Sequence, residues 1–253
     1  MKKRPKILLG TPTHEGKEYC LDYWVKVVKK IKKEFNCDII LIDNSKTDRY
    51  SREIKKRGIK VIKSPKYNLP LKSLGEARKK LYEYAIKNNY DFLFSLEQDI
   101  FPPIDIIKHL LKIRGKVNEE SIIGVPYIIY KITYEERPYL TKDRLTNIAK
   151  GRMYNKKLRR KIQENLTEKE LEKKEKLMKV FACGLGCTFL DVSILKKIKV
   201  RYSATNFKPD DAFLFTDCKK QKIPVYIDPK LLGKIIHIEG NSMNVLNWNK
   251  KRF

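Results

Sequence analysis

The chain has 253 residues, 42% of them hydrophobic, which suffices for a sizeable core in one α/β domain or two small ones. Its formal net charge of +27 is spread along the whole length and predicts an anionic partner; nucleotide diphosphate, anionic lipid and nucleic acid all satisfy it, but no zinc-finger, RNP-like or helix-turn-helix signature supports nucleic acid. The cysteines Cys20, Cys37, Cys183, Cys187 and Cys218 are odd in number and form neither a CxxC pair nor a His-bearing zinc pattern, so reduced thiols packed as small hydrophobes in a cytoplasmic protein are expected. Abundant Lys and Ile, with many charges of both signs, fit a thermophile-like surface.

The basic start Met1-Lys-Lys-Arg-Pro-Lys is followed by only three apolar residues, Ile7-Leu8-Leu9, before Gly10, so a strand is expected there and not a leader. Residues 6–9 therefore form the first predicted strand. A helix follows over 19–35, where Tyr23, Val27, Val28 and Ile31 recur at helical spacing. Next come a strand over 38–42, a short helix over 51–57 ended by Gly58, a strand over 59–62, a helix over 74–87 and a fourth strand over 92–96. This βαβα order predicts a mostly parallel sheet with helices on both faces, and in such sheets ligands bind beyond the carboxyl ends of the strands.

After Pro102-Pro103 the pattern predicts a helix over 105–113 and a strand over 122–130. Residues 141–180 carry fourteen Lys or Arg against six Asp or Glu, and Thr167-Glu168-Lys169-Glu170 matches a capping box. An inserted basic helical arm is expected there. Core-like sequence resumes over 181–190, followed by a helix over 192–198 capped by Asp191, a helix over 211–221 and a strand over 225–227. No segment approaches the roughly eighteen apolar residues of a spanning helix, which leaves a soluble chain or one bound at a membrane surface.

The run Phe92-Leu-Phe-Ser-Leu-Glu97-Gln98-Asp99 is an apolar strand ending in two carboxylates at i and i+2. Side chains two apart on a strand share a face, so Glu97 and Asp99 can converge on one hard divalent cation, Mn²⁺ or Mg²⁺. Taken alone, the same residues read more readily as turn formers or a helix cap. Three further segments accompany them: Ile39-Ile-Leu-Ile-Asp43-Asn44-Ser45, a strand ending in a polar turn; Ser73-Leu-Gly-Glu-Ala-Arg78, opening a helix; and Asp210-Asp211, beginning another, with Lys222-Ile-Pro-Val-Tyr-Ile-Asp-Pro229 and His237 after it.

In order and approximate spacing these segments resemble the GT-A glycosyltransferases, above all the large inverting family 2, over most of residues 6–240 apart from the basic arm. The resemblance implies a single GT-A domain, with a nucleotide-binding half over 1–103 and an acceptor-side half over 104–253. It implies a nucleotide-diphosphate sugar as donor and leaves the acceptor open between glycan, lipid and protein. Thr11, Pro12 and Asp43 would then lie at the donor base, and Arg78 near the nucleotide. Asp99 would be the main metal ligand, Glu97 an auxiliary one that also reaches ribose, and His237 a further ligand. Glu97 departs from the family's DxD pattern, which has Asp in the first position. Asp211 would be the general base, with Asp210 beside it, while Gly184 and Gly186 would let backbone approach the donor sugar.

Each assignment has a plainer counterpart: an Asx turn at Asp43, a surface arginine at Arg78, a helix cap at Asp210 and Asp211, and a bulge at the glycines. His109 reads as structural, and His14 as a neighbour of the nucleotide loop. A nucleotidyltransferase on a related sheet and a non-catalytic binder of nucleic acid or anionic membrane are the alternative functions. For the arm, interleaved Leu145, Ile148, Met153, Tyr154 and Leu158 beside the charges suggest an interfacial helix touching anionic lipid.

Overall fold

The computed structural model describes residues 4–129, 145–155, 160–202 and 210–238. In chain order the elements are β1 (Ile7–Thr13), α1 (Leu21–Phe35), β2 (Asp38–Asp43), α2 (Arg49–Lys56), β3 (Lys60–Lys63), α3 (Pro70–Lys87), β4 (Phe92–Leu96), β5 (Ile100–Phe101), α4 (Ile106–Arg114) and β6 (Ile122–Gly124). Then follow β7 (Ile128–Ile129), β8 (Leu145–Asn155), β9 (Arg160–Thr167), α5 (Glu168–Glu172), β10 (Met178–Val180), β11 (Ala182–Cys183), β12 (Cys187–Asp191), α6 (Val192–Leu195), α7 (Asp210–Lys220), β13 (Val225–Ile227) and β14 (Ile236–His237).

Period-two alternation sends the residues of each central strand into two separate apolar clusters. Ile7 and Leu9 of β1 join one cluster and Leu8 the other; Ile39 and Leu41 of β2 part from Ile40 and Ile42 in the same way. Both faces of the sheet are thus buried, as a parallel sheet covered by helices requires. α1, α2 and α4 supply the first cluster and α3, α6 and α7 the second. The eight strands lie in the order β10-β13-β6-β12-β4-β1-β2-β3. β3, β2, β1 and β4 run parallel, β12 is antiparallel between β4 and β6, β13 is parallel to β6, and β10 closes the edge antiparallel to β13. The result is the expected α/β architecture, a mostly parallel mixed sheet flanked by helices. Gly10 lets α3 close onto β1, since a Cβ there would come within 2.8 Å of Ile40 Cγ2 and 2.9 Å of Leu81 Cδ1.

The first four strands and three helices fall where the periodicity predicts them, within a few residues at each end. Gly58, at φ +74°, ends α2 as expected. The strand predicted over 122–130 divides into β6 and β7: Val125 N–H still donates to Cys187 O at 3.0 Å in the β12 register, and Pro126, which has no N–H, ends the ladder; residue 130 lies outside the described residues. The helix predicted over 192–198 is a single turn, and Asp191 does not cap it through its side chain. That carboxylate instead accepts from Arg114 Nε at 2.9 Å and from Ser121 N–H at 2.9 Å.

The helical arm is a correction. Residues 145–155 and 160–167 form an antiparallel pair, β8 with β9, and β8 also pairs with β7 and β11. Among the described residues of the segment, helix is confined to α5, where the capping box of Thr167 and Glu170 is complete in both directions. The base of β8 is anchored inward. Ile148 is fully buried, Asn147 accepts from Tyr127 N–H at 2.8 Å and donates to Val125 O at 3.1 Å, and Thr146 donates to Leu166 O. Strand pairing on both sides of β8 thus outweighs a charge pattern that suits a solvated helix equally well. Ile148 therefore belongs to the core and not to an interfacial face; residues 156–159, Leu158 among them, are outside the described set, so the membrane expectation falls largely on them. Among the described residues no helix is long and apolar enough to cross a membrane. All five cysteines are free and buried.

Candidate active site

The carboxyl end of β4 is where the carboxylates come together. The antiparallel ladder with β12 ends at Leu96 opposite Cys187; Glu97 N–H then donates to Gly186 O at 2.7 Å, and Ile100 N–H to Glu97 O at 3.1 Å, which turns the chain over residues 97–100. Asp99 is 4% exposed. β14 pairs with β5, and Ile238 N–H donates to Asp99 O at 2.8 Å, so that His237 is delivered beside Asp99 from near the other end of the chain. The imidazole is oriented by its Nδ1–H, which donates to Ile128 O at 3.1 Å, and by an edge contact with the Tyr127 ring at 5.2 Å. Its Nε2 stands 3.7 Å from Asp99 Oδ2.

Lys17 donates to the same oxygen from the 3₁₀ turn at Glu15–Cys20. That turn is capped by His14, whose Nδ1 accepts from Gly16 N–H at 3.0 Å; burial and the nearby Lys66 and Lys17 ammonium groups hold the His14 pKa below its ordinary value. Burial pushes the Asp99 carboxyl up, yet His237 and Lys17 outweigh it and hold the group below the usual carboxylate range. Glu97 behaves oppositely. Its loss of hydration, reinforced by Asp99, raises its pKa against the pull of Arg78, Lys17 and His237.

Four buried polar atoms without a hydrogen-bond partner lie immediately after parallel strands: Asn44 Oδ1 after β2, Ser64 Oγ after β3, and Gln98 Nε2 and Asp99 Oδ1 after β4. Buried polar atoms are rarely left unpaired, and four of the eight found among the described residues lie at this end of the sheet, where α/β folds of this kind bind ligands. Gln98 Oε1 accepts from the hydroxyls of Thr13 and Tyr50, locking the residue between the two carboxylates.

Thr11 and Pro12 are buried within β1, Thr11 with an unpartnered hydroxyl. Asp43 is fully buried and accepts from Ser45 N–H at 2.8 Å, Ser51 Oγ at 2.5 Å and Lys63 Nζ at 3.2 Å. The Asx turn is therefore real, and together with Ser51 and Lys63 it uses acceptor capacity of the carboxylate that a base-binding role for Asp43 would need.

Arg78 is not a surface arginine. At 3% exposure it donates from Nε to Asp210 Oδ2 at 2.7 Å and from Nη1 to Ser95 Oγ at 3.4 Å, and its Nη2 stands 3.9 Å from Glu97 Oε1. Desolvation alone would lower its pKa, but Asp210, Tyr82 and Glu97 raise it further. One guanidinium thus ties the end of β4 to the first turn of α7. Asp210 is committed to that pair, whereas Asp211 Oδ1 is buried and unpartnered. Burial, reinforced by Asp210, pushes the Asp211 carboxyl up to about 6. A carboxylate in this state takes up a proton readily near neutral pH.

Gly184 and Gly186 frame the turn between β11 and β12. A Cβ on Gly186 would meet Tyr127 Oη at 2.7 Å and Glu97 Oε2 at 3.2 Å, so the strand packs directly on the acidic site. His109 pairs with Asp228 at 2.9 Å, a structural role as expected. Sequence reasoning missed Lys17, Gln98 and Tyr127. Only Gln98, enclosed by the two carboxylates, carried a positional signal; Lys17 is one lysine among many, and Tyr127 is placed by tertiary packing.

No protein-family model and no curated protein matches the chain. Solved structures do match. A mannosyltransferase from Pyrobaculum calidifontis, in complex with GDP-Man and Mn²⁺, aligns at a TM-score of 0.58 and 10% identity over 99% of this chain, which spans 61% of that protein's chain. Glucosyl-3-phosphoglycerate synthase from Mycobacterium tuberculosis, in complex with phosphoglyceric acid, aligns at 0.51 and 12% identity over 93% of this chain and 72% of its own. A mycobacterial protein aligns at 0.54 and 14% identity, covering 95% and 70%. At such identities the likeness establishes the fold, and the chain has the GT-A fold.

Proposed function

We propose that the protein is a glycosyltransferase that moves a sugar from a nucleotide-diphosphate sugar to an acceptor hydroxyl, with a divalent cation and with inversion at the anomeric carbon. The observation that carries the reading is that Arg78 ties the carboxyl end of β4, through Glu97 beside the Asp99–His237 pair, to Asp210 in the first turn of α7, next in sequence to Asp211.

The residues fit a divalent ion, Mn²⁺ or Mg²⁺. Asp99 offers an unpartnered buried oxygen, and His237 has its Nδ1–H engaged by a backbone carbonyl, the arrangement that orients an imidazole towards a metal. Among the described residues no group of three or more His, Cys, Asp or Glu side chains is arranged to hold a metal, so substrate phosphates would have to supply further ligands beside Asp99 and His237. Asp99 and His237 would hold the ion, with Glu97 at the rim, and the ion would neutralise the departing diphosphate. Asp211 accepts the proton of the attacking hydroxyl, and Asp210, held by Arg78, keeps the first turn of α7 in place. The space beside Gly184 and Gly186 is filled by Tyr127 and, at Gly186, by Ile100 and Glu97, so these glycines pack the wall of the site and do not open room for the donor sugar. The basic β8–β9 hairpin is the proposed contact for an anionic acceptor or an acidic membrane surface, and the protein would work in the cytoplasm.

A thermal-shift screen of nucleotide sugars with and without Mn²⁺ tests the function. A ligand that binds only the folded state raises the apparent stability, so at least one nucleotide sugar should give a metal-dependent rise in Tm. No shift with any nucleotide sugar would reject the reading.

A further inference from the structure

Asp99 Oδ2 faces two groups at once. Lys17 Nζ is in direct contact with it and His237 Nε2 stands 3.7 Å away, while Oδ1 is buried without a partner. An ionised carboxylate this deeply buried needs a counter-charge. Lys17 provides it from the end of a long, flexible stem whose side chain is 29% exposed. An ion shared by Asp99 and His237 would sit against the ammonium, where like charges in a poorly hydrated site repel strongly.

We propose that Lys17 is an exchangeable counter-cation of this site: its ammonium neutralises Asp99 in the metal-free protein, and a divalent ion binds only by displacing it. The inference rests on the reading of Asp99 and His237 as a cation site. Its consequence is a coupling between metal and anionic donor. The displaced ammonium regains a counter-charge when a diphosphate arrives with the ion, so metal alone binds weakly and metal with nucleotide binds well.

The test is calorimetric titration of the full chain with Mn²⁺ in the absence of nucleotide. Lys17→Met should bind Mn²⁺ at least about tenfold more tightly than the wild type, whereas Lys17→Arg, which keeps the cation, should stay near the wild-type value. Adding Asp99→Asn to Lys17→Met should remove the gain. If Lys17→Met fails to fold by circular dichroism, Lys17→Gln serves under the same criterion. A neutral variant that binds Mn²⁺ no more tightly than the wild type, including the case in which neither binds, overturns the proposal. The two readings fail separately: a wild type that ignores every nucleotide sugar while Lys17→Met still gains Mn²⁺ affinity refutes the glycosyltransferase and leaves the exchange standing.

Discussion

Replacing Asp211 by Asn gives a prediction that needs no knowledge of the substrate. The Asp211 carboxyl titrates at about 6 in the fold against an ordinary value of 3.8, because burial and Asp210 disfavour its charged form. That gap corresponds to about 3 kcal/mol. The sign follows from linkage: a carboxyl whose pKa is raised by folding destabilises the native state when ionised. The wild type carries the full cost above pH 6, a diminishing part of it down to about pH 4, and none below. Asn never ionises, so the stability of Asp211→Asn relative to wild type should rise between pH 4 and pH 8 by up to about 3 kcal/mol. In a domain of this size the gap in Tm should widen by roughly 5–10 °C, which differential scanning calorimetry at the two pH values resolves. A Tm difference that does not change with pH refutes the assignment of a raised pKa to Asp211. In the catalytic reading the same variant loses turnover while keeping donor affinity, and wild-type turnover rises with pH through about 6.

Arg78→Met should destabilise the fold by about 3–5 kcal/mol, because it leaves Asp210 buried without its partner; an unchanged Tm in urea or heat denaturation would return Arg78 to a ligand-contact role. Gly186→Ala should cost about 1–3 kcal/mol and weaken nucleotide-sugar binding, since the added methyl presses on Tyr127 and Glu97; affinity unchanged by calorimetry would separate this turn from the donor site. Neutralising Lys156, Lys157, Arg159 and Arg160 together should weaken co-sedimentation with anionic lipid vesicles and flatten its salt dependence. Equal sedimentation of variant and wild type would make the hairpin a solvated element only.

The parallel half of the sheet was legible because its strands are short apolar runs separated by helices of clear 3.6 periodicity, and because Gly58 punctuates the chain. The acidic end of β4 was legible only through its company: a carboxylate pair after an apolar strand also reads as a turn or a cap, and the segments at 39–45, 73–78, 210–211 and His237 singled it out. The β8–β9 hairpin was not. Its lysines and arginines carry no period that separates a solvated helix from a strand, and the determinants of strand are partners, β7 and β11, that a local reading does not bring together. The same limit hid Lys17, whose meaning depends on Asp99, eighty-two positions away. It also hid the commitment of Arg78 to Asp210, which joins α3 to α7 across one hundred and thirty-two positions. The Asx turn at Asp43 and the capping box at Thr167 were correct because both are closed within a few residues.

The most direct measurement is isothermal titration of wild type and Asp99→Ala with the nucleotide sugar selected by the thermal-shift screen, each with and without Mn²⁺. Asp99 lies at the end of β4 and outside the two apolar clusters, so the variant should remain folded by circular dichroism. Wild type should bind the donor in a Mn²⁺-dependent manner, and Asp99→Ala should show no such dependence. Metal-dependent affinity that survives the substitution would contradict the placement of the donor diphosphate and its cation at the carboxyl end of β4.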